Sequence, residues 1–235
     1  MKSWIVSLLV RFLRRHQVLL NTLLCRLADF DIILVPMKEP GAMATVRHLV
    51  SVKREKRLLQ TFCQAYNLVR AVEASRKATG DIAEVGVYRG GSAKIIAGVK
   101  GDRVLHLFDT FEGLPEPSGA DASHFRKGAY RPPSRGDVEE YLREFRGISF
   151  HVGFFPDTAA PVKETNFSFV HLDVDLVEST RECLSFFYPR MSRGGIIFSQ
   201  DYGITPVREL IEQFFTGKPE PVIELLSTQC MVVKI

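Results

Sequence analysis

The 235-residue sequence has no C-x-x-C pair. Its four cysteines, Cys25, Cys63, Cys183 and Cys230, lie far apart with no histidine beside them, which excludes zinc-finger spacing and a thioredoxin-like redox motif. Scattered thiols of this kind read as a chain kept in a reducing cytoplasm. No run of about 20 uninterrupted apolar residues occurs, so no spanning helix is expected. The opening MKSWIVSLLVRFLRRHQVLL resembles a signal peptide only superficially, because Arg11, Arg14 and Arg15 break the apolar run and no small-residue cleavage site follows. Internal repeats and low-complexity tracts are also missing, and with 46% hydrophobic and 25% charged residues the composition is that of a globular protein.

The net charge of +4 conceals an asymmetry. Residues 1–77 carry 14 Lys and Arg against 5 Asp and Glu, whereas the remainder is net acidic. We read residues 1–40 as a basic amphipathic helical appendage and 41–235 as the main domain. Leucines and Trp4 recur among basic residues over 4–34. That pattern leaves open a peripheral membrane contact through residues 1–34, a cover or homo-oligomer interface, and a plain appendage. Nucleic acid is not the expected partner, because no aromatic–basic interleaving accompanies the charge. A second basic helical region is expected from about Val46 to Lys77, with Gly80 as its C-cap.

Beyond Gly80 the pattern changes. Short apolar runs alternate with helix-length segments: IAEVGVY, RVLHLFD, ISFHVGFF, FSFVHLDVD and GGIIFSQDY, then PVIELL and CMVVKI. This predicts an α/β fold, Rossmann-like, with a mostly parallel seven-stranded sheet preceded by N-terminal helices. The last two runs are joined by the few residues around Ser227–Gln229, a hairpin length, so the sheet should end in an antiparallel strand. The Pro-, Gly- and Ser-rich stretch Glu116–Gly136 is expected to be a lid or disordered loop.

EVGVYRGGSA ends a strand and opens a helix, where glycines let the backbone approach a ligand. Its spacing is not G-x-G-x-x-G, and Glu84 would repel a pyrophosphate. An acidic residue favours instead the ammonium and sulfonium of S-adenosylmethionine. Asp109 closes the next strand at the distance where such sites place a carboxylate for ribose hydroxyls. HLDVD sets Asp173 and Asp175 at one strand end and FSQDY sets Gln200 and Asp201 at the next, an oxygen set suited to Mg²⁺. Asp175 reads as the cap of the following helix or a residue close to it, whereas Asp173 and Asp201 read as the functional pair. His171 reads as a packed histidine, and Phe186, Phe187 and Tyr188 as core.

Together EVGVYRGGSA, LFDTFEGLP, HVGFFPDT and HLDVDLVESTRECLSFFYPRMSRGGIIFSQDYG resemble the macrocin O-methyltransferase family, which is similar in plan to catechol-type O-methyltransferases. The likeness covers about residues 58–215. It implies a class I methyltransferase domain over 41–235 that moves the methyl of S-adenosylmethionine to a hydroxyl of a sugar or glycosylated small molecule. It implies that Asp173, Gln200 and Asp201 hold Mg²⁺ and that Asp173 is the base. Cofactor contacts are expected from Glu84, Gly86, Tyr88 and Gly90 at the turn, Asp109, Thr110 and Phe111 after the second strand, Gly153 and Phe154 after the third, and Asp173. Two departures stand out: Gln200 where the family commonly has aspartate, and Val177 where it commonly has tyrosine. Gln200 keeps a competing expectation open, a catalytically weak scaffold that retains the fold.

Overall fold

The computed structural model describes residues 41–132 and 134–235, so every expectation attached to residues 1–40 lies outside the described residues. Helix α1 (Ala42–Arg54) starts after Gly41 at φ 84° and ends with Lys53 and Arg54 in its last turn, where cations complement the helix dipole. Helix α2 (Phe62–Ala74) starts at a reciprocal capping box: Thr61 accepts from the Gln64 backbone N–H, and the Gln64 side chain accepts from the Thr61 N–H. The single helical region expected from Val46 to Lys77 is therefore two helices. Lys56, at φ 56°, turns the chain between them. Gly80 is not the helix C-cap either, because α2 closes through a 3-10 turn at Ser75–Lys77. Gly80 instead admits the chain to the sheet: at φ +110° a Cβ there would stand 2.4 Å from the Asn166 carbonyl oxygen.

The sheet then builds by alternation. Strand β1 (Asp81–Val85) leads to α3 (Gly91–Val99), β2 (Leu105–Asp109) to α4 (Arg135–Leu142), and β3 (Ile148–Val152) through a 3-10 turn to β4 (Phe167–Leu172). Helix α5 (Val177–Phe187), β5 (Met191–Ser199), α6 (Thr205–Phe215), β6 (Ile223–Glu224) and β7 (Cys230–Val233) complete it. The strand order is β3-β2-β1-β4-β5-β7-β6. Strands β1 to β5 are parallel, and β7 runs antiparallel to both β5 and β6, as the short final connection required. The order reverses between β1 and β4, and ligands in open α/β sheets bind outside the strand ends at such a reversal.

Both faces of the sheet are covered. Ile82, Leu105, Leu107 and Phe198 pack toward Leu68, Ile95, Ile96 and Leu142 of the first helical layer. Val85, Phe108, Val170 and Ile197 pack toward Leu184, Phe187, Leu210 and Ile211 of the second. Strand residues alternate between the two layers, which is why the runs read as continuously apolar. Phe167 and Phe169 fall on opposite faces despite their even spacing, because the pairing of β4 shifts register between them. Phe187 is fully buried, in keeping with its expected core place.

Candidate active site

A cavity of about 460 Å³ opens at the C-terminal ends of β1, β2, β4 and β5. Its floor is the glycine turn. Gly86 lies so close to β4 that a Cβ there would stand 1.8 Å from the Asp173 carbonyl oxygen, so a glycine at φ +87° is what lets the turn and Asp173 share one corner. Asp109 holds the turn from the other side. Its Oδ2 accepts from the N–H groups of Val87 (2.7 Å) and Tyr88 (2.8 Å), and its Oδ1 accepts from the Phe111 N–H (2.7 Å). These bonds fix Tyr88 and Phe111 in the left-handed region, φ 51° and 55°. Asp109 thus shapes the turn as well as facing the cavity.

The facing wall carries carboxylates. Asp173, Asp175 and Asp201 all line the cavity. Asp201 Oδ2 accepts from the N–H groups of Val174 and Asp175, both at 2.9 Å, which clamps the β4 and β5 ends together. Burial, reinforced by Asp201, Asp175 and Glu84, raises Asp173 well above the usual carboxylate range. Burial and then Asp175 push Asp201 up to about 7, against the pull of its two N–H donors, and burial pushes Asp175 up to about 6. Carboxylates crowded at a partly buried wall are costly unless a cation joins them. Asp175 does not cap α5. Leu176 occupies the cap position with no side-chain bond, Asp175 sits at φ 62°, and the Val177 N–H donates to Asp121 Oδ1 at 2.7 Å.

That last bond belongs to the expected lid. Leu114 and Gly128 exchange backbone hydrogen bonds with Ala129 and Leu114, and Asp121 also accepts from Ser118, so the insertion is a pinned loop. Tyr130 from this loop lines the cavity and stands edge-on to Tyr88, ring centroids 6.1 Å apart. Burial, followed by the charges of Asp175, Asp173 and Asp201, raises the Tyr130 phenol and keeps it an O–H donor.

Of the residues singled out from sequence, Gly86, Tyr88, Asp109, Thr110, Gly153, Phe154, Asp173, Gln200 and Asp201 line this one cavity. Three do not. Glu84 is fully buried inside the sheet, where Oε1 meets His171 Nδ1 at 2.9 Å, so the acidity facing the cavity comes from the four aspartates instead. Phe111 packs into the first core layer. Gly90 is the left-handed N-cap of α3 and faces the Val138 side chain of α4. Gln200 lines the cavity with its amide orientation fixed. Gln229 Nε2 donates both to the Gln64 carbonyl (3.2 Å) and to Gln200 Oε1 (2.8 Å), so one lone pair of the Gln200 oxygen is engaged. Among the described residues, no three His, Cys, Asp or Glu side chains gather closely enough to form a metal centre.

Arg57, Gln60, Gln64 and Thr228 also line the cavity, and sequence reasoning missed them. The readable signal was the T-x-x-Q capping box at Thr61–Gln64, which starts α2 and thereby aims the preceding segment over the strand ends.

The family model described as Macrocin-O-methyltransferase (TylF) matches residues 54–225. The 8-demethyl-8-(2,3-dimethoxy-alpha-L-rhamnosyl)-tetracenomycin-C 4'-O-methyltransferase of Streptomyces olivaceus is 32% identical over 63% of this chain and 64% of its own length. Demethyldecarbamoylnovobiocin O-methyltransferase of Streptomyces niveus is 31% identical over 54% of each. Mycinamicin III 3''-O-methyltransferase of Micromonospora griseorubida is 26% identical over 63% of this chain and 66% of its own. The chain thus spans between about half and two thirds of the length of these relatives. Among solved structures, the O-methyltransferase NovP superposes with a TM-score of 0.67 at 24% identity, covering 76% of this chain and 82% of that one. The calicheamicin methyltransferase CalS11 superposes at 0.63 and 17% identity, covering 84% and 94%. Both share the Rossmann-like fold of class I O-methyltransferases.

Proposed function

Since this chain belongs to the macrocin O-methyltransferase family, we propose that its domain over 41–235 transfers a methyl group from S-adenosylmethionine to a hydroxyl of a sugar on a glycosylated small molecule. The observation that carries the reading is the cavity at the sheet reversal, with the glycine turn as one wall and three crowded aspartates as the other. Its volume lies in the range of small-molecule sites, roughly 300–1,000 Å³. The acceptor class is supported by the rhamnosyl-bearing substrate named for the Streptomyces olivaceus relative. The reducing cytoplasm is the proposed compartment, in keeping with the unoxidised, buried thiols at Cys183 and Cys230. No described helix is long and apolar enough to cross a membrane.

When bound, S-adenosylmethionine supplies a methyl carbon activated by its positive sulfur. The chain does the rest. Asp109 and the glycine turn position the nucleoside, and Tyr88 with Tyr130 narrows the entrance. Asp173 takes the proton of the acceptor hydroxyl, a role suited to a carboxylate whose proton affinity burial has raised. Rate comes mainly from holding oxygen and methyl carbon in line in a cleft that excludes water.

The donor set fits Mg²⁺ in a reduced form. Two carboxylates with several waters are enough for this ion, and Asp173 with Asp201 are the residues that would hold it. Gln200 Oε1 accepts from Gln229 Nε2 and keeps its second lone pair, so it is the neutral third oxygen this set offers. The ion would supply charge neutralisation and a Lewis-acid contact to the acceptor oxygen.

The test is mass spectrometry of products from S-adenosylmethionine and a panel of glycosides and free sugars, run with magnesium and with a chelator. A product 14 mass units heavier is the expected CH₂ increment, and its absence across the panel with a tightly bound cofactor would favour the scaffold reading. Turnover indifferent to the chelator would remove magnesium alone.

A further inference from the structure

One buried amide in the cavity wall is short of partners. Gln60 is 5% exposed and lines the cavity, yet among the described residues neither its Nε2 nor its Oε1 makes a hydrogen bond of normal geometry. An amide buried in that condition is costly, so the position suits a ligand that carries both a donor and an acceptor. The segment bearing it is rigid. Lys53 Nζ donates to the Gln60 main-chain oxygen, and the backbone of Arg57 and Leu58 presses on the start of α3, where a Cβ on Gly91 would meet them at 2.7–2.8 Å. Gln60 lines the same cavity as Asp173, and its amide is the neighbour that interacts with that carboxylate. Asp173 in turn abuts Gly86 of the glycine turn. Gln60, Asp173 and the turn therefore border one corner of the cavity.

We propose that Gln60 is the residue that reads the α-amino-acid end of the cofactor, its NH₂ donating to the carboxylate and its carbonyl accepting from the ammonium. A zwitterion needs a donor and an acceptor side by side, and a carboxamide supplies both without adding charge to a wall already crowded with aspartates. This assignment rests on the methyltransferase reading. It makes Gln60 a discriminator between ligands that carry the amino-acid tail and those that end at the thioether.

Isothermal calorimetry with S-adenosylhomocysteine and with 5′-methylthioadenosine, on the wild-type chain and Gln60→Met, tests it. The two ligands share the nucleoside and sulfur and differ in the tail. The expected result is a loss of roughly tenfold to a hundredfold in affinity for S-adenosylhomocysteine, with methylthioadenosine binding unchanged, which also reports that the variant is folded. Equal losses for both ligands would mean a structural role and overturn the proposal, as would unchanged affinity for both. Failure of the wild-type chain to bind either ligand would instead remove the methyltransferase reading on which it rests.

Discussion

At the scale of single residues, geometry separates two kinds of damage. Gly86→Ala would drive a Cβ into the Asp173 carbonyl at 1.8 Å, from a backbone conformation that L side chains rarely adopt. Urea denaturation should show a loss of about 2 kcal/mol or more, with cofactor binding lost as well. Asp173→Asn should behave differently. Turnover of the acceptor should fall roughly 10²–10⁴-fold, while the thermal midpoint should hold or rise, because a neutral amide relieves the repulsion from Asp201 and Asp175. An unchanged rate in a product assay would remove Asp173 as base. Residue identities at strand ends were legible in the sequence, since a carboxylate closing an apolar run faces either solvent or a ligand, and Asp109, Asp173 and Asp201 all reach the cavity. Glu84 misleads for a local reason: it is still inside β1, one step before the chain leaves the sheet, and His171 on β4 is its neighbour. Gln60 was not legible at all, because its meaning comes from Asp173 in a distant element.

At the scale of elements, α2 and the turn between β6 and β7 are joined by amides. Gln229 is fully buried, accepts from Asn67 and Ser227, and donates to Gln200 and to the Gln64 carbonyl. Gln64 also donates to Thr228 Oγ1 at 2.7 Å. Gln229→Ala should lower the urea midpoint by an amount corresponding to about 1–3 kcal/mol with no change in slope. Helix α4 is held differently, by a two-pronged Arg57–Asp137 pair and by Arg57 lying 4.3 Å from the Tyr141 ring centre. Arg57→Ala should therefore speed amide hydrogen exchange in Arg135–Leu142 while the exchange of β1 and β4 stays slow. The strands and the closing hairpin were readable, because alternation and connection length are local properties. The split of the expected Val46–Lys77 helix was carried by a four-residue capping signal inside a stretch whose periodicity continues across it, and periodicity alone cannot register a positive φ at Lys56.

At the scale of the whole molecule, acid stability follows from a group far from the cavity. Glu220 is buried beneath Tyr188 and Lys234, and although burial opposes it, hydrogen bonds from Lys234 (2.6 Å) and Tyr188 (2.8 Å) pull its carboxyl down to about 2. A carboxyl held below its ordinary value contributes stability above about pH 4.5 and loses it as the pH falls toward 2. Thermal melts should show the midpoint falling across that window, and Glu220→Gln should flatten this part of the profile. A second whole-molecule expectation is linkage: S-adenosylhomocysteine at a hundred times its Kd should add about 2.7 kcal/mol to unfolding. The bonds from α2 to the final turn bear on this, since they join residues 162 to 165 positions apart in sequence across the mouth of the cavity. No local fragment can assemble that rim, and a partly unfolded chain that has shed its last hairpin would keep much of its sheet yet lose the site. Ligand occupancy would then report the completion of folding, falling to zero before the helical signal does.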